Sequence, residues 1–157
     1  MESKMPNHSR VWIYQSNRFM SPSEVLHINK VCQMFIDQWQ AHGQSLVSEV
    51  HVLKERFVVF FVDEQQAQAT GCSIDKSVHL MQGLGNELNV DFFDRMQMLY
   101  FEDGEITESR MHDFWAMRKA ENVTDETLVF NNLVKDKGEF MSSWIVPFGK
   151  SWHSEMW

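Results

Sequence analysis

Apolar positions along the chain follow two spacings, every second residue or every third to fourth, and the switches between them mark the elements. Val11-Trp12-Ile13-Tyr14 is a short apolar run between polar neighbours and predicts a first strand. Ser21-Pro22-Ser23-Glu24 predicts a helix start, with serine as the cap, proline in the first turn and a glutamate three residues after the serine. That helix carries Val25, Ile28, Val31, Cys32, Phe35, Ile36 and Trp39 on one face and stops at Gly43. Leu46 to Leu53 reads as a strand and Lys54-Glu55-Arg56 as a tight connection. Phe57 to Val62 is apolar without a break, which predicts a central strand covered on both faces. After the polar loop Gln65 to Thr70, a second helix starts at Ser73 and runs to Leu88, with Ile74, Val78, Met81, Leu84 and Leu88 inward.

Beyond a turn over Asn89 to Arg95 the segments shorten. Met96 to Phe101 predicts a strand and Asp103-Gly104 a hairpin turn. Ser109 is placed to cap a third helix through Ala120, with Met111, Phe114 and Trp115 inward. Leu128 to Phe130 and Trp144 to Val146 read as strands, the second ended by Pro147, with a short helix from Lys135 to Met141 between them. This order predicts an α+β fold. The expectation is a single domain over residues 1–157 with a mixed or mainly antiparallel sheet, about three helices and a flexible N-terminus over residues 1–10.

Composition narrows the function classes. The 157 residues, 43% hydrophobic and 23% charged, have the balance of a globular chain with room for a real core. The net charge of −8, with no cluster of Lys or Arg, argues against nucleic acid as a partner. No apolar run reaches membrane-spanning length, and the first ten residues lack the apolar core of a signal peptide. The expected address is therefore cytoplasmic, with no membrane partner. Cys32 and Cys72 then read as free thiols, and Cys32, inside the apolar stripe of the first helix, as a small buried hydrophobe.

The stretch Thr70 to Ser77, between the apolar run and the second helix, is the candidate site. Cys72 stands just before the expected helix start, where the dipole and unpaired backbone N–H groups favour a thiolate and could stabilise an oxyanion. A thiol nucleophile also needs a base, and His79, His153 and His112 are the candidates. A binding site needs none. Gly71, Ser73 and Asp75 would then hold a small or anionic group, joined by Arg95, Asn131 and Asn132. On a helical wheel Asp75, His79, Gln82 and Asn86 share the side opposite the apolar stripe, either as solvated surface or as the wall of a site. A nucleotide P-loop is excluded, because alignment on Lys76-Ser77 puts Asp75 and Thr70 where both glycines belong. The histidines show no metal-binding spacing, and Asp63, Glu64, Asp91 and Asp94 would make a two-metal cluster only if the fold gathered them. No cofactor is called for.

Several stretches together resemble a known family. They are Trp12 to Arg18, Gly71 to Val78, Val90 to Arg95, Val129 to Val134, Val146-Pro147-Phe148 and Ser151-Trp152-His153. The resemblance is to a family of short uncharacterised bacterial proteins that often carry the label "ABC transporter ATPase", and it spans nearly the whole chain. It implies a soluble bacterial protein and brings no established catalytic residues. The label conflicts with the missing P-loop and with the absence of an L-S-G-G-Q-type signature. Three function classes follow: a module binding a small molecule, a thiol-dependent hydrolase or transferase using Cys72, and a protein-interaction module. The last would use an exposed patch built from Trp144, Trp152 or Trp157.

Overall fold

The reciprocal bonds that open the first long helix show how local sequence sets this fold. In the computed structural model, which describes residues 1–156, helix α1 (Pro22–Asp37) begins with the expected capping box. Ser21 Oγ accepts from the Glu24 amide at 3.2 Å, and Glu24 Oε1 accepts from the Ser21 amide at 2.8 Å. Arg18 holds the same carboxylate with both guanidinium nitrogens, at 2.9 and 2.7 Å. That pairing keeps the Glu24 carboxyl at about 2, well below the usual carboxylate range.

The chain forms two compact units. The first comprises residues 1–94 and 135–138. Its sheet has the order β1-β5-β4, from β1 (Arg10–Gln15), β4 (Val47–Leu53) and β5 (Phe57–Asp63), all antiparallel. The two-residue strands β2 (Gln40–Ala41) and β3 (Gln44–Ser45) form a small hairpin of their own. Strand β5 is central, as its unbroken apolar run predicts, and Phe57 to Val62 are fully buried. Helices α1 and α2 (Gly71–Leu88) contribute Ile28, Cys32, Met81 and Leu84 to one core with Tyr14, Val50, Phe60 and Val62. The three-residue connection Lys54 to Arg56 between β4 and β5 puts both Lys54 (φ 55°) and Glu55 (φ 59°) in the left-handed region, closed by the Arg56 amide donating to the Leu53 carbonyl at 3.1 Å.

The N-terminal residues, expected to be flexible, make specific bonds. Ser3 Oγ and the Lys4 amide donate to Glu49 at 2.6 and 3.0 Å, and Met5 and Ser9 are buried. Segment 135–138 lies along the outer edge of β1. The Val11 amide donates to the Lys135 carbonyl, the Lys137 amide to the Ser9 carbonyl and the Gly138 amide to the Asn7 carbonyl.

The second unit comprises residues 95–134 and 139–157, of which 157 lies outside the described residues. Its sheet has the order β7-β6-β8-β9, from β6 (Gln97–Glu102), β7 (Glu105–Arg110), β8 (Leu128–Phe130) and β9 (Ile145–Pro147). Asp103 and Gly104 make the hairpin turn at positive φ, as the sequence predicts. Helix α3 (Met111–Lys119) packs Phe114 into a core with Met98, Tyr100, Val129 and Phe148. Short helices α4 (Lys137–Ser143) and α5 (His153–Met156) follow. The α+β class stands, with every strand pair antiparallel, the strands divided between separate sheets, and five helices among the described residues. Arg110 and not Ser109 is the N-cap of the third helix, because Ser109 is still paired with Met98 in the hairpin.

Candidate functional site

Helix α2 carries the chemistry of the first unit, and its start differs from the expected one. Thr70, not Ser73, is the N-cap, in extended backbone (φ −105°, ψ 168°). Its Oγ1 accepts from the Ser73 amide at 3.2 Å, while Ser73 Oγ accepts from the Thr70 amide at 2.7 Å. Ser73 is thus the third helical residue, buried, with its hydroxyl spent inside the capping box. Its carbonyl accepts from Trp39 Nε1 at 2.9 Å. A ligand at this turn would meet Gly71, Cys72 and Asp75, which are exposed, but not the Ser73 hydroxyl.

Cys72 is exposed and occupies the second helical position. His79 is seven residues further along the same helix, so the two are displaced by about 10 Å along the axis. Among the described residues no hydrogen bond joins Cys72 to His79, or Asp75 to His79. His153 belongs to the second unit and is buried. Its Nδ1 shares a 2.7 Å hydrogen bond with Ser151 Oγ, and its ring stacks on Trp152 at 3.9 Å. Burial pushes its pKa down to about 4, so the ring is neutral at physiological pH. His112 is exposed on α3. In the second unit Asn131 Oδ1 accepts from the Leu133 amide at 3.1 Å, and Asn132 Oδ1 accepts from Trp144 Nε1 at 2.9 Å, so each closes a local turn or fixes a ring. Arg95 is exposed. Trp144 is buried and Trp152 half-buried, which removes Trp144 from any surface patch. Trp157 lies outside the described residues. Among the described residues, no three His, Cys, Asp or Glu side chains come together to hold a metal ion.

A cleft of about 600 Å³ opens at the other end of α2. The helix closes there through Asn89, in left-handed backbone (φ 56°, ψ 49°), and the Val90 amide donates back to the Gly85 carbonyl at 2.9 Å. Glycine is required at position 85, because a Cβ there would stand 2.4 Å from the Val90 carbonyl oxygen. Arg18 Nη2 donates to the Leu88 carbonyl at 2.8 Å, a cation where the helix leaves carbonyls unpaired. Asn17 Oδ1 accepts from the Asp91 amide at 2.9 Å, tying the end of β1 to the turn after α2. The cleft is lined by Asn17, Gln82, Asn86 and Asn89, with Asp91 and the half-exposed Phe93 at its edge. The Phe93 ring is held edge-on to Tyr14 at 5.8 Å.

No family model, no curated protein and no solved structure matches the chain. The site is therefore read from its own chemistry. The sequence pattern had placed Gln82 and Asn86 on one polar face of the second helix. It gave no sign that Asn17 joins them, because the contact spans 74 residues.

Proposed function

We propose that the protein is a binding module, and that its first unit takes a small uncharged polar molecule, of monosaccharide or nucleoside size, in the cleft at the C-terminal end of α2. The observation that carries this reading is the lining. The side-chain amides of Gln82, Asn86 and Asn89 make no hydrogen bond among the described residues, and each offers two donors and one acceptor. Neutral groups of both kinds suit hydroxyls and amides and favour no ion. Asp91 at the edge opposes an anion, and Phe93 supplies an apolar ring face. The volume of about 600 Å³ lies in the usual range for small-molecule sites. Carboxamides neither take nor give a proton, which favours binding over acid–base chemistry.

Saturation-transfer NMR with a panel of neutral monosaccharides and nucleosides tests this. At least one compound should receive saturation from the wild type and lose it with Gln82→Ala/Asn86→Ala. A panel that shows no difference between the two proteins sinks the reading.

A second reading, thiol chemistry at Cys72, is favoured by the exposure of that residue in the first turn of an 18-residue helix. Among the described residues no base on the helix is hydrogen-bonded to the thiol, so it predicts a reactive thiol and not a hydrolytic pair.

A further inference from the structure

On the other flank of α2 lies a groove of about 450 Å³, lined by Phe35 of α1, by Gln38, Trp39 and Gln40 just beyond its end, and by Lys76, His79 and Leu80 of α2. Its floor is aromatic and fixed. Trp39 meets Phe35 edge-on at 5.1 Å, Phe60 at 5.9 Å and Trp12 at 6.1 Å. The indole N–H of Trp39 is already committed to the Ser73 carbonyl and the ring is buried, so it backs the groove with no free donor, and the accessible apolar surface comes from the half-buried Phe35 and Leu80. The rim has the opposite character. Lys76 and His79 are exposed one turn apart and make no ion pair or hydrogen bond among the described residues. Two arginines of the same unit differ in this respect, since Arg10 is paired with Glu64 and Arg18 with Glu24. No Asp or Glu lines the groove.

We infer that this groove binds a small aromatic carboxylate, with its ring against Phe35 and Leu80 over the buried Trp39 and its carboxylate between Lys76 and His79. Both halves of the site are needed for this ligand. The apolar floor alone would take any hydrophobe, and a surface lysine with a neighbouring imidazole alone would take any anion weakly. The negative charge of the whole chain does not forbid an anion here. At physiological salt, charges more than about 8 Å away are largely screened, and those nearest the carboxylate decide. The groove shares no lining residue with the cleft at the C-terminal end of α2, so the two sites stand or fall separately.

The test is an NMR titration of isotope-labelled full-length protein with 3-phenylpropanoate and, separately, with its neutral amide. The carboxylate should move the resonances of Phe35, the Trp39 indole N–H and Leu80. It should bind about two- to fivefold tighter than the amide, as exposed ion pairs allow. In Lys76→Gln/His79→Gln, and in the single variant Lys76→Met, that preference should shrink while the amide binds as before. Both sites are exposed, so the folded spectrum is expected to survive. Equal affinity for acid and amide in the wild type, perturbation centred on other residues, or no saturable shift with the carboxylate would each overturn the assignment.

Discussion

His153 should make the protein lose stability in mild acid. The ring is buried against Phe114 and Phe148, stacked on Trp152 and bonded to Ser151, and that burial lowers its pKa from 6.5 to about 4. The unfolded chain takes the proton near 6.5 and the folded chain only near 4. Between those values the unfolded state binds more protons, so stability falls as pH falls. Above about 6.5 the residue contributes no pH dependence, and below about 4 its full cost is in place. At about 1.4 kcal/mol for each factor of ten, the interval from 6.5 to about 4 amounts to about 3 kcal/mol. Urea denaturation across this pH range, comparing wild type with His153→Asn, isolates the effect. Asparagine keeps an acceptor near the position of Nδ1 and removes the titration. The variant starts less stable through lost packing, but its curve should be flatter by about 3 kcal/mol between the two limits. An NMR titration of the His153 C2 proton gives the folded-state pKa directly. Parallel stability curves for the two proteins, or a ring that titrates near 6.5 in the folded state, would refute the reasoning.

Alkylation with iodoacetamide should label Cys72 in the folded protein and leave Cys32 untouched until unfolding. Cys32 is buried, and burial pushes its thiol up to about 12, so equal labelling of both by mass spectrometry would contradict the packing of α1. Gly85→Ala should destabilise by about 1–3 kcal/mol in urea, because backbone must move to admit a Cβ. Gly83→Ala, which meets open space two residues earlier, should stabilise by about 0.5–1 kcal/mol. Thr70→Ala removes the cap of α2 and should cost about 1 kcal/mol, a loss that Thr70→Ser largely restores. Lys54→Asn/Glu55→Gly should raise the urea midpoint, since both positions hold the left-handed region at a cost of about 1 kcal/mol or more each.

What the sequence made legible was what local chemistry determines. The Ser21 to Glu24 box and the Asp103-Gly104 turn each need only neighbouring residues, and both stand where the pattern put them. Strand β5 was readable because six consecutive apolar residues admit no exposed face. The start of α2 was misplaced because Thr70 and Ser73 can each cap, and only their mutual bonds decide which one does. The tight connection at Lys54-Glu55-Arg56 stands where the sequence put it, but it carries no glycine or asparagine, so composition gave no sign that two of its residues are left-handed. The division of strands between sheets was hidden because periodicity reports burial and not pairing. The cleft was half legible: helical spacing gathered Gln82 with Asn86, while Asn17 reaches it only through a long-range bond to the turn after α2.

Segment 135–138 has a consequence for the order in which the chain is made. It closes the outer edge of β1, yet it leaves the ribosome roughly forty residues after the rest of its unit. At about 5–20 residues per second, β1 waits a few seconds with an unpaired edge, the kind of strand that recruits foreign chains. Neither unit is one continuous piece of chain, so no single cut yields both whole. A fragment ending at Asp94 would keep its helices and lose the cover of its first strand.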